Sequence, residues 1–426
     1  MYLAHLSLTN FRNYSRLELD LSDGITLLQG LNAQGKTGFL EAIAYLSTSR
    51  SLLSTAEREL VNWLAWEQPL PFARIVGEIE GGGRRDKIEI VLVQNANSSA
   101  NGPRLRKEVR INGSPRRAID LIGQMPVVLF LPHDIQLIAG SPSNRRRYMD
   151  IALCQMQRDY CRALSAYGRV VQQRNALLKD LRQRQGSRDQ LTFWDDQLIE
   201  HGDLVMARRA SFLADLEFEA SQRHLSLTEG RERLHVDYKP SLALEESDLS
   251  ERDEIDSDDP PFLSEPSAFP YQSAGPSSIS DLFRQALEQN RQREIAAGMS
   301  LTGPHRDDIQ FLVEGRDLRT YGSRGQQRTA TLSVKLAEVA VMQRALTTPP
   351  ILLLDDVMSE LDRDRRAALL EALGGVQQAL VTTTDWEDFT PEFRRQARCM
   401  QVDGGLVQTV TTGAEEPERQ PPTRDG

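Results

Sequence analysis

Cysteine is scarce in this 426-residue chain: Cys154, Cys161 and Cys399 are too few and too scattered for a disulfide framework or a zinc site, and their scarcity fits a reducing compartment. The six histidines, at 5, 133, 201, 224, 235 and 305, form no H-x-x-x-H pair or similar ligand spacing, which argues against metal chemistry through histidine. Long hydrophobic runs are absent too; no stretch approaches the roughly 18 apolar residues of a membrane span. Met1-Tyr2-Leu3-Ala4-His5-Leu6 has no basic segment followed by an apolar one, so no secretory leader is expected and the expected location is cytoplasmic.

Basic charge is also in deficit, with 51 Lys and Arg against 61 Asp and Glu, a net charge of −10. That balance argues against a nucleic-acid partner until the acidic residues are located. Ten of them lie within 241–275, against Arg252 alone, a local balance of −9 that leaves the other residues near −1. The remainder is close to neutral and can carry basic patches. Together with Pro260, Pro261, Pro266, Pro270 and Pro276, this composition reads as a disordered insertion over 241–277.

What is present is a phosphate-binding pattern. Gly30-Leu31-Asn32-Ala33-Gln34-Gly35-Lys36-Thr37 spells G-x-x-x-x-G-K-T after an apolar run at 25–28 that reads as a strand. Apolar residues then recur at 39, 40, 43 and 46, the spacing of one helix face. Strand, glycine loop and helix together make a cradle: backbone N–H groups and the helix N-terminus face the phosphates, Lys36 reaches the β- and γ-phosphates, and the Thr37 hydroxyl can ligate Mg²⁺.

Around the cradle, alternating residues at 2–14 and 17–21 predict strands, as do runs at 73–79, 87–93, 109–112 and 126–131. Turns are expected at 81–83 and 95–102. Helical periodicity begins near 145 and runs to about 232 with a break at 184–189, which predicts long antiparallel helices in an arm without the sustained heptads of a coiled coil. A helix is expected over 279–297 and a second over 331–346.

Residues 351–354, Ile-Leu-Leu-Leu, form a continuous apolar run, typical of a buried parallel strand, and end in Asp355-Asp356. A neighbouring strand is expected at 376–381. Two carboxylates at a strand end, in one chain with a phosphate cradle, suit Mg²⁺-dependent nucleoside triphosphate chemistry: Asp355 can hold the metal and Asp356 can polarise the attacking water. Upstream, Ser323-Arg324-Gly325-Gln326 precedes the 331–346 helix and forms a second anion site at a helix N-terminus. One nucleotide does not need two such sites from one chain, so the second suits a nucleotide held by another subunit.

At this point the motif order resembles a known family. G-x-N-x-x-G-K-T, S-R-G-Q at 323–326, L-L-L-D-D and Ser359-Glu360-Leu361-Asp362 resemble an ABC-type ATPase head. Leu8-Thr9-Asn10-Phe11-Arg12-Asn13-Tyr14, Gly140-Ser141-Pro142, Arg145-Arg146-Arg147-Tyr148-Met149-Asp150 and Thr302-Gly303-Pro304-His305-Arg306-Asp307-Asp308 are similar, within that superfamily, to the RecF family of bacterial recombination and gap-repair proteins.

The resemblance implies an α/β fold: an ATPase head whose mixed sheet is formed by N- and C-terminal parts, with an inserted, mostly helical arm lobe. The expected divisions are 1–144 (head, with Walker A), 145–240 (arm), 241–277 (acidic insertion), 278–412 (head, with signature and Walker B) and 413–426 (disordered tail). It further implies an ATP-dependent homodimer in which Ser323, Gly325 and Gln326 of one subunit close over ATP and Mg²⁺ held by the other's residues 30–37. Asp355 and Thr37 would bind the metal, Asp356 and Lys36 would be catalytic, residues 359–362 would link the two sites, and Arg12 and Asn13 would lie near the nucleotide. Such dimers clamp DNA, single-stranded, duplex or gapped, and act with RecR and RecO to load recombinase in gap repair and SOS induction.

Some details depart from that pattern. Many ABC heads have Glu where Asp356 stands, so slow hydrolysis is expected. The Gln usually found after the strand ending at Leu131 is missing, leaving Asp134 or Gln136 as substitutes, and Thr-Thr-Thr-Asp at 382–385 replaces a transporter-type His. Arg145, Arg146 and Arg147 are the candidate DNA-binding cluster. The alternatives are an SMC-like chromosome-associated ATPase, for which the 145–240 arm is far too short, a transporter ATPase subunit, which would lack the arm, and a non-catalytic DNA scaffold switched by ATP.

Overall fold

The computed structural model describes residues 1–54, 56–95, 105–242 and 276–410. Most of the expected 95–102 turn, the acidic insertion apart from 241–242 and 276–277, and the 413–426 tail lie outside the described residues.

The continuous apolar run becomes β12 (Ile351–Asp355), buried on both faces because it runs parallel between β13 (Gln378–Thr383) and β8 (Val127–Phe130). The strand before the glycine loop, β3 (Gly24–Gln29), lies on the other side of β13, and β14 (Arg398–Asp403) with β15 (Leu406–Thr409) completes the order β15-β14-β3-β13-β12-β8. All neighbours are parallel except β14 and β15. This is the expected mixed sheet built from both ends of the chain.

Strand alternation assigns each face of that sheet to a different core. Ile351, Leu353 and Leu380 point toward α1 (Lys36–Thr48), whose Phe39, Leu40, Ile43 and Leu46 pack in the same core as Leu6, Leu8, Ile75 and Ile90. The last four belong to a six-stranded antiparallel sheet, ordered β2-β1-β4-β5-β6-β7. Its strands are β1 (Tyr2–Phe11), β2 (Tyr14–Asp20), β4 (Phe72–Gly81), β5 (Arg84–Gln94), β6 (Leu105–Ile111) and β7 (Ser114–Arg116). The Walker A helix is thus sandwiched between two sheets. Leu352, Leu354, Val128 and Val381 face the other way, onto helices at Arg324–Ala345 and Arg363–Gly374.

The arm expected over 145–240 comprises α2 (Pro142–Met156), α3 (Arg158–Arg182) and α4 (Gln190–Leu227); α5 (Pro276–Ala297), expected with the C-terminal head part, packs Ile279, Phe283 and Leu287 into the arm's core, and the helices after it are α6 (Arg324–Ala345) and α7 (Arg363–Gly374). The break expected at 184–189 separates α3 from α4. A three-stranded sheet, β11 (Arg316–Asp317), β10 (Asp308–Val313) and β9 (Leu234–Lys239), shares the arm's core. Two buried arginines tie these elements together: Arg174 donates to Asp195, Glu294 and Ser300, and Arg209 to Asp150 and Asp307.

The arginine triplet at 145–147, the expected DNA-binding cluster, does not form one free basic face: Arg145 is turned inward, whereas Arg147 is exposed. Arg145 is 2% exposed, donating through Nε and Nη2 to Asp308 at 2.7 and 2.8 Å and through Nη1 to the Gly140 carbonyl. Arg146 donates to the Asp307 carbonyl and Arg147 to the Ser51 carbonyl. Successive helical residues are about 100° apart, so three consecutive arginines cannot share one outward face; only Arg147 is exposed. Arg145→Met is expected to lower stability by about 2–3 kcal/mol, less than for a fully buried pair because Asp308 keeps solvent contact. The slope of log DNA affinity against log salt should not change; urea midpoints and a salt titration check the two halves.

Candidate functional site

The C-terminal ends of β3 and β12 carry the two expected motifs to one place, as parallel α/β sheets do. After β3 the chain turns through residues 30–35 into α1. Gly30 is required by a close approach: a Cβ there would lie 2.5 Å from the Val402 carbonyl oxygen. Gly35 sits at φ +122°, and its Cβ would lie 2.6 Å from Asn13 Nδ2 and 2.8 Å from the Tyr14 hydroxyl. Those two side chains brace the loop, Asn13 Nδ2 donating to the Gln34 carbonyl at 2.8 Å and Tyr14 to the Gly35 carbonyl at 3.0 Å. Gln34 is also held by the backbone N–H groups of Gly404 and Gly405.

Lys36 is buried and donates to the carbonyls of Gly30 and Leu31. Burial lowers its pKa, opposed by the nearby carboxylates of Asp356 and Asp355. The Thr37 hydroxyl donates to Asp355 Oδ2 at 2.7 Å across 318 residues of sequence. Asp355 is fixed from its other side by Thr382 Oγ1 at 2.9 Å, and the Asp356 N–H donates to the same hydroxyl at 3.0 Å.

Asp356 differs sharply from its neighbour. Its φ is +50°, a conformation L residues seldom adopt, and its Oδ1 is buried without a hydrogen-bond partner. Burial raises its pKa, the Lys36 ammonium opposes that rise, and the carboxylates of Asp355 and Asp388 add to it. A strained carboxylate with an unused buried oxygen suits a group that positions a water.

Gly35, Lys36, Thr37, Asp355 and Asp356 line a cleft of about 600 Å³, together with Arg12, Asn13, Leu31, Asn32, Ala33, Gly38, Glu41, Leu53, Glu59, Val61 and Trp63; Gly30 and Gln34 do not line it. Arg12 is locked against Glu41, with Nε at 2.7 Å and Nη2 at 3.0 Å from the carboxylate. The oxygen donors of Thr37 and Asp355 fit Mg²⁺, which binds few protein carboxylates and completes its shell with phosphate and water. Among the described residues no cluster of three His, Cys, Asp or Glu could hold a metal by itself.

Ser323, Gly325 and Gln326 are not among the cleft residues. Ser323 caps α6, its Oγ accepting from the Gln326 N–H at 3.2 Å while Gln326 Oε1 accepts from the Ser323 N–H at 3.0 Å. The segment 356–365 nevertheless runs from Asp356 to this helix start and is tied at both ends. Ser359 Oγ donates to the Asp356 carbonyl, Asp362 caps α7, and Arg365 bridges from Asp362 to the Gly325 carbonyl. Asp134, one suggested substitute for the missing Gln, caps the Leu131 N–H and faces a separate small cavity beside Lys335, and neither it nor Gln136 lines the cleft. Thr382, Tyr14, Glu41 and Trp63 were not singled out from the sequence as site residues. The Thr-Thr-Thr-Asp run pointed to the right place but not to the threonine that holds Asp355.

The RecF/RecN/SMC N-terminal domain family model matches residues 2–406. DNA replication and repair protein RecF of Chloroflexus aurantiacus is 39% identical over 417 residues, covering 96% of this chain and 99% of that protein. RecF of Oceanobacillus iheyensis is 36% identical, covering 96% and 100%. A solved structure of the recombination mediator protein RecF with ATP, of the RecFOR pathway, is 28% identical with a TM-score of 0.79, over 96% of this chain and 98% of that one. An Smc head bound to the C-terminal winged-helix domain of ScpA shares the fold at 13% identity and a TM-score of 0.50, covering 96% and 98%.

Proposed function

Because the chain belongs to the RecF/RecN/SMC N-terminal domain family, and within it to the RecF DNA replication and repair proteins, we propose that its cleft binds ATP with Mg²⁺ and that the nucleotide closes two copies into a dimer on DNA. One observation carries the reading: Lys36, Thr37, Asp355 and Asp356 converge on one cleft, while the residues 323–326 that would complete it lie outside it. Half a site in each subunit is completed by the other.

In that dimer Lys36 and the inward N–H groups of the loop bind the phosphates. Thr37 and Asp355 hold Mg²⁺, which when bound neutralises charge on the β- and γ-phosphates. Asp356 orients the attacking water and takes its proton. Ser323, Gly325 and Gln326 of the second subunit present their helix N-terminus to the same nucleotide, and the segment from Asp356 to Arg365 couples the two positions. Hydrolysis is weak, since the carboxylate of Asp is one methylene shorter than that of Glu, and it opens the dimer. The biological setting is recombinational repair at gapped DNA in the cytoplasm, with RecR and RecO as partners, by likeness to the RecFOR-pathway relative.

Sedimentation with and without ATP, and with duplex, single-stranded or gapped DNA, tests the reading. A monomer that becomes a dimer only with ATP, and stays dimeric on DNA, is the expected outcome. An oligomeric state indifferent to ATP would refute it.

A further inference from the structure

The cleft has two unlike walls. One is the phosphate wall of Lys36, Thr37, Asp355 and Asp356; the other presents Leu53, Val61 and Trp63 together with Glu59. Polyphosphate chemistry gives no reason for an apolar wall. Trp63 is the one aromatic among the described residues lining the cleft, and it is 69% exposed.

That exposure is not looseness. The segment carrying Trp63 is pinned to the turn between β1 and β2: the Arg12 N–H donates to the Leu60 carbonyl at 2.8 Å, the Asn62 N–H to the Asn10 carbonyl at 2.8 Å, and Phe11 bridges to Val61. The buried Asn62 side chain adds two more bonds, donating to the Arg12 carbonyl at 2.7 Å and accepting from the Leu64 N–H at 2.9 Å. Asn13 and Tyr14, which brace the phosphate loop, stand on the same turn. One hairpin therefore sets the position of the Trp63 backbone relative to the phosphate cradle, and a pre-placed aromatic side chain has little freedom to lose on binding.

We propose that Trp63 is the platform on which the base of the bound nucleotide stacks, making it a specificity-determining residue for a nucleoside triphosphate over a bare polyphosphate. The inference rests on the reading of the cleft as an ATP site. A flat π-face accepts a flat base, with Val61 and Leu53 covering apolar edges.

Calorimetric titration of the full chain in Mg²⁺ with ATP and, separately, with inorganic tripolyphosphate tests this for wild type, Trp63→Ala and Trp63→Phe. In Trp63→Ala the ATP Kd should rise roughly 10-fold while that for tripolyphosphate changes less than about twofold, and Trp63→Phe should stay within about threefold of wild type for both. Equal loss for both ligands, or no loss for ATP, would overturn the platform. So would an unchanged ratio of the two affinities with loss of the ATP-driven dimer, which would assign Trp63 to contact with a second copy. Wild type that binds neither ligand, or binds both regardless of Lys36→Met, would instead refute the ATP site itself and the inference with it.

Discussion

Lys36→Met should sediment identically with and without ATP. The methionine side chain nearly matches lysine in length but carries no charge, so it fills the same buried slot without unfolding the loop. What it loses is the ammonium, which donates to the Gly30 and Leu31 carbonyls and can exchange them for phosphate oxygens. A charge-assisted hydrogen bond of that kind is worth about 1.5–3 kcal/mol, so ATP affinity should fall roughly 10- to 150-fold. The dimer depends on the nucleotide as its central contact and should vanish at ATP concentrations that saturate wild type. Normal ATP-driven dimers of the variant would show that the cleft does not control assembly.

Asp356→Asn should have the opposite profile, retaining the ATP-driven dimer while phosphate release falls about 10²- to 10⁴-fold, the usual range for losing a positioned base. Retained turnover would remove Asp356 from the chemistry. The same variant carries a stability prediction whose sign is fixed by burial. Burial raises the folded-state pKa of Asp356 above its ordinary 3.8, so between those two values the folded state binds more proton than the unfolded state. Stability therefore falls as pH rises through that window, and the full cost is present at neutral pH. Asparagine removes the cost and tolerates positive φ better, so the Tm should rise at pH 7, with the gain shrinking as pH falls toward 3.8.

What could be read in the sequence was what is local. The phosphate loop is eight consecutive residues, and its glycines, lysine and threonine act through the turn they themselves make. Residues 351–354 announced a strand covered on both faces, because neither face alternates with polar residues, and the carboxylates followed directly. Thr382, Tyr14 and Trp63 act through partners brought near by tertiary folding, and no spacing in the chain marks which threonine will meet Asp355. The arginine triplet is split for a related reason. Its charge was visible, but the direction each guanidinium takes depends on where α2 lies against Asp308 and the residues before β10. The capping pattern at 323–326 was visible as well, whereas its absence from its own cleft emerges only from the packed head.

The order of strands in the head sheet also constrains the birth of the protein. Walker A is complete at residue 37, yet β3 lies between β13 and β14, which begin at residues 378 and 398. During translation at about 5–20 residues per second, the strand that leads into the phosphate loop must wait on the order of 20–70 s for its first neighbour. Through that interval Ile25, Leu27 and Leu28 have no sheet to enter, and the nascent chain carries an unpaired apolar strand as a target for chaperones. A ribosome that stops short of β13 yields a chain with the whole Walker A motif and no nucleotide site.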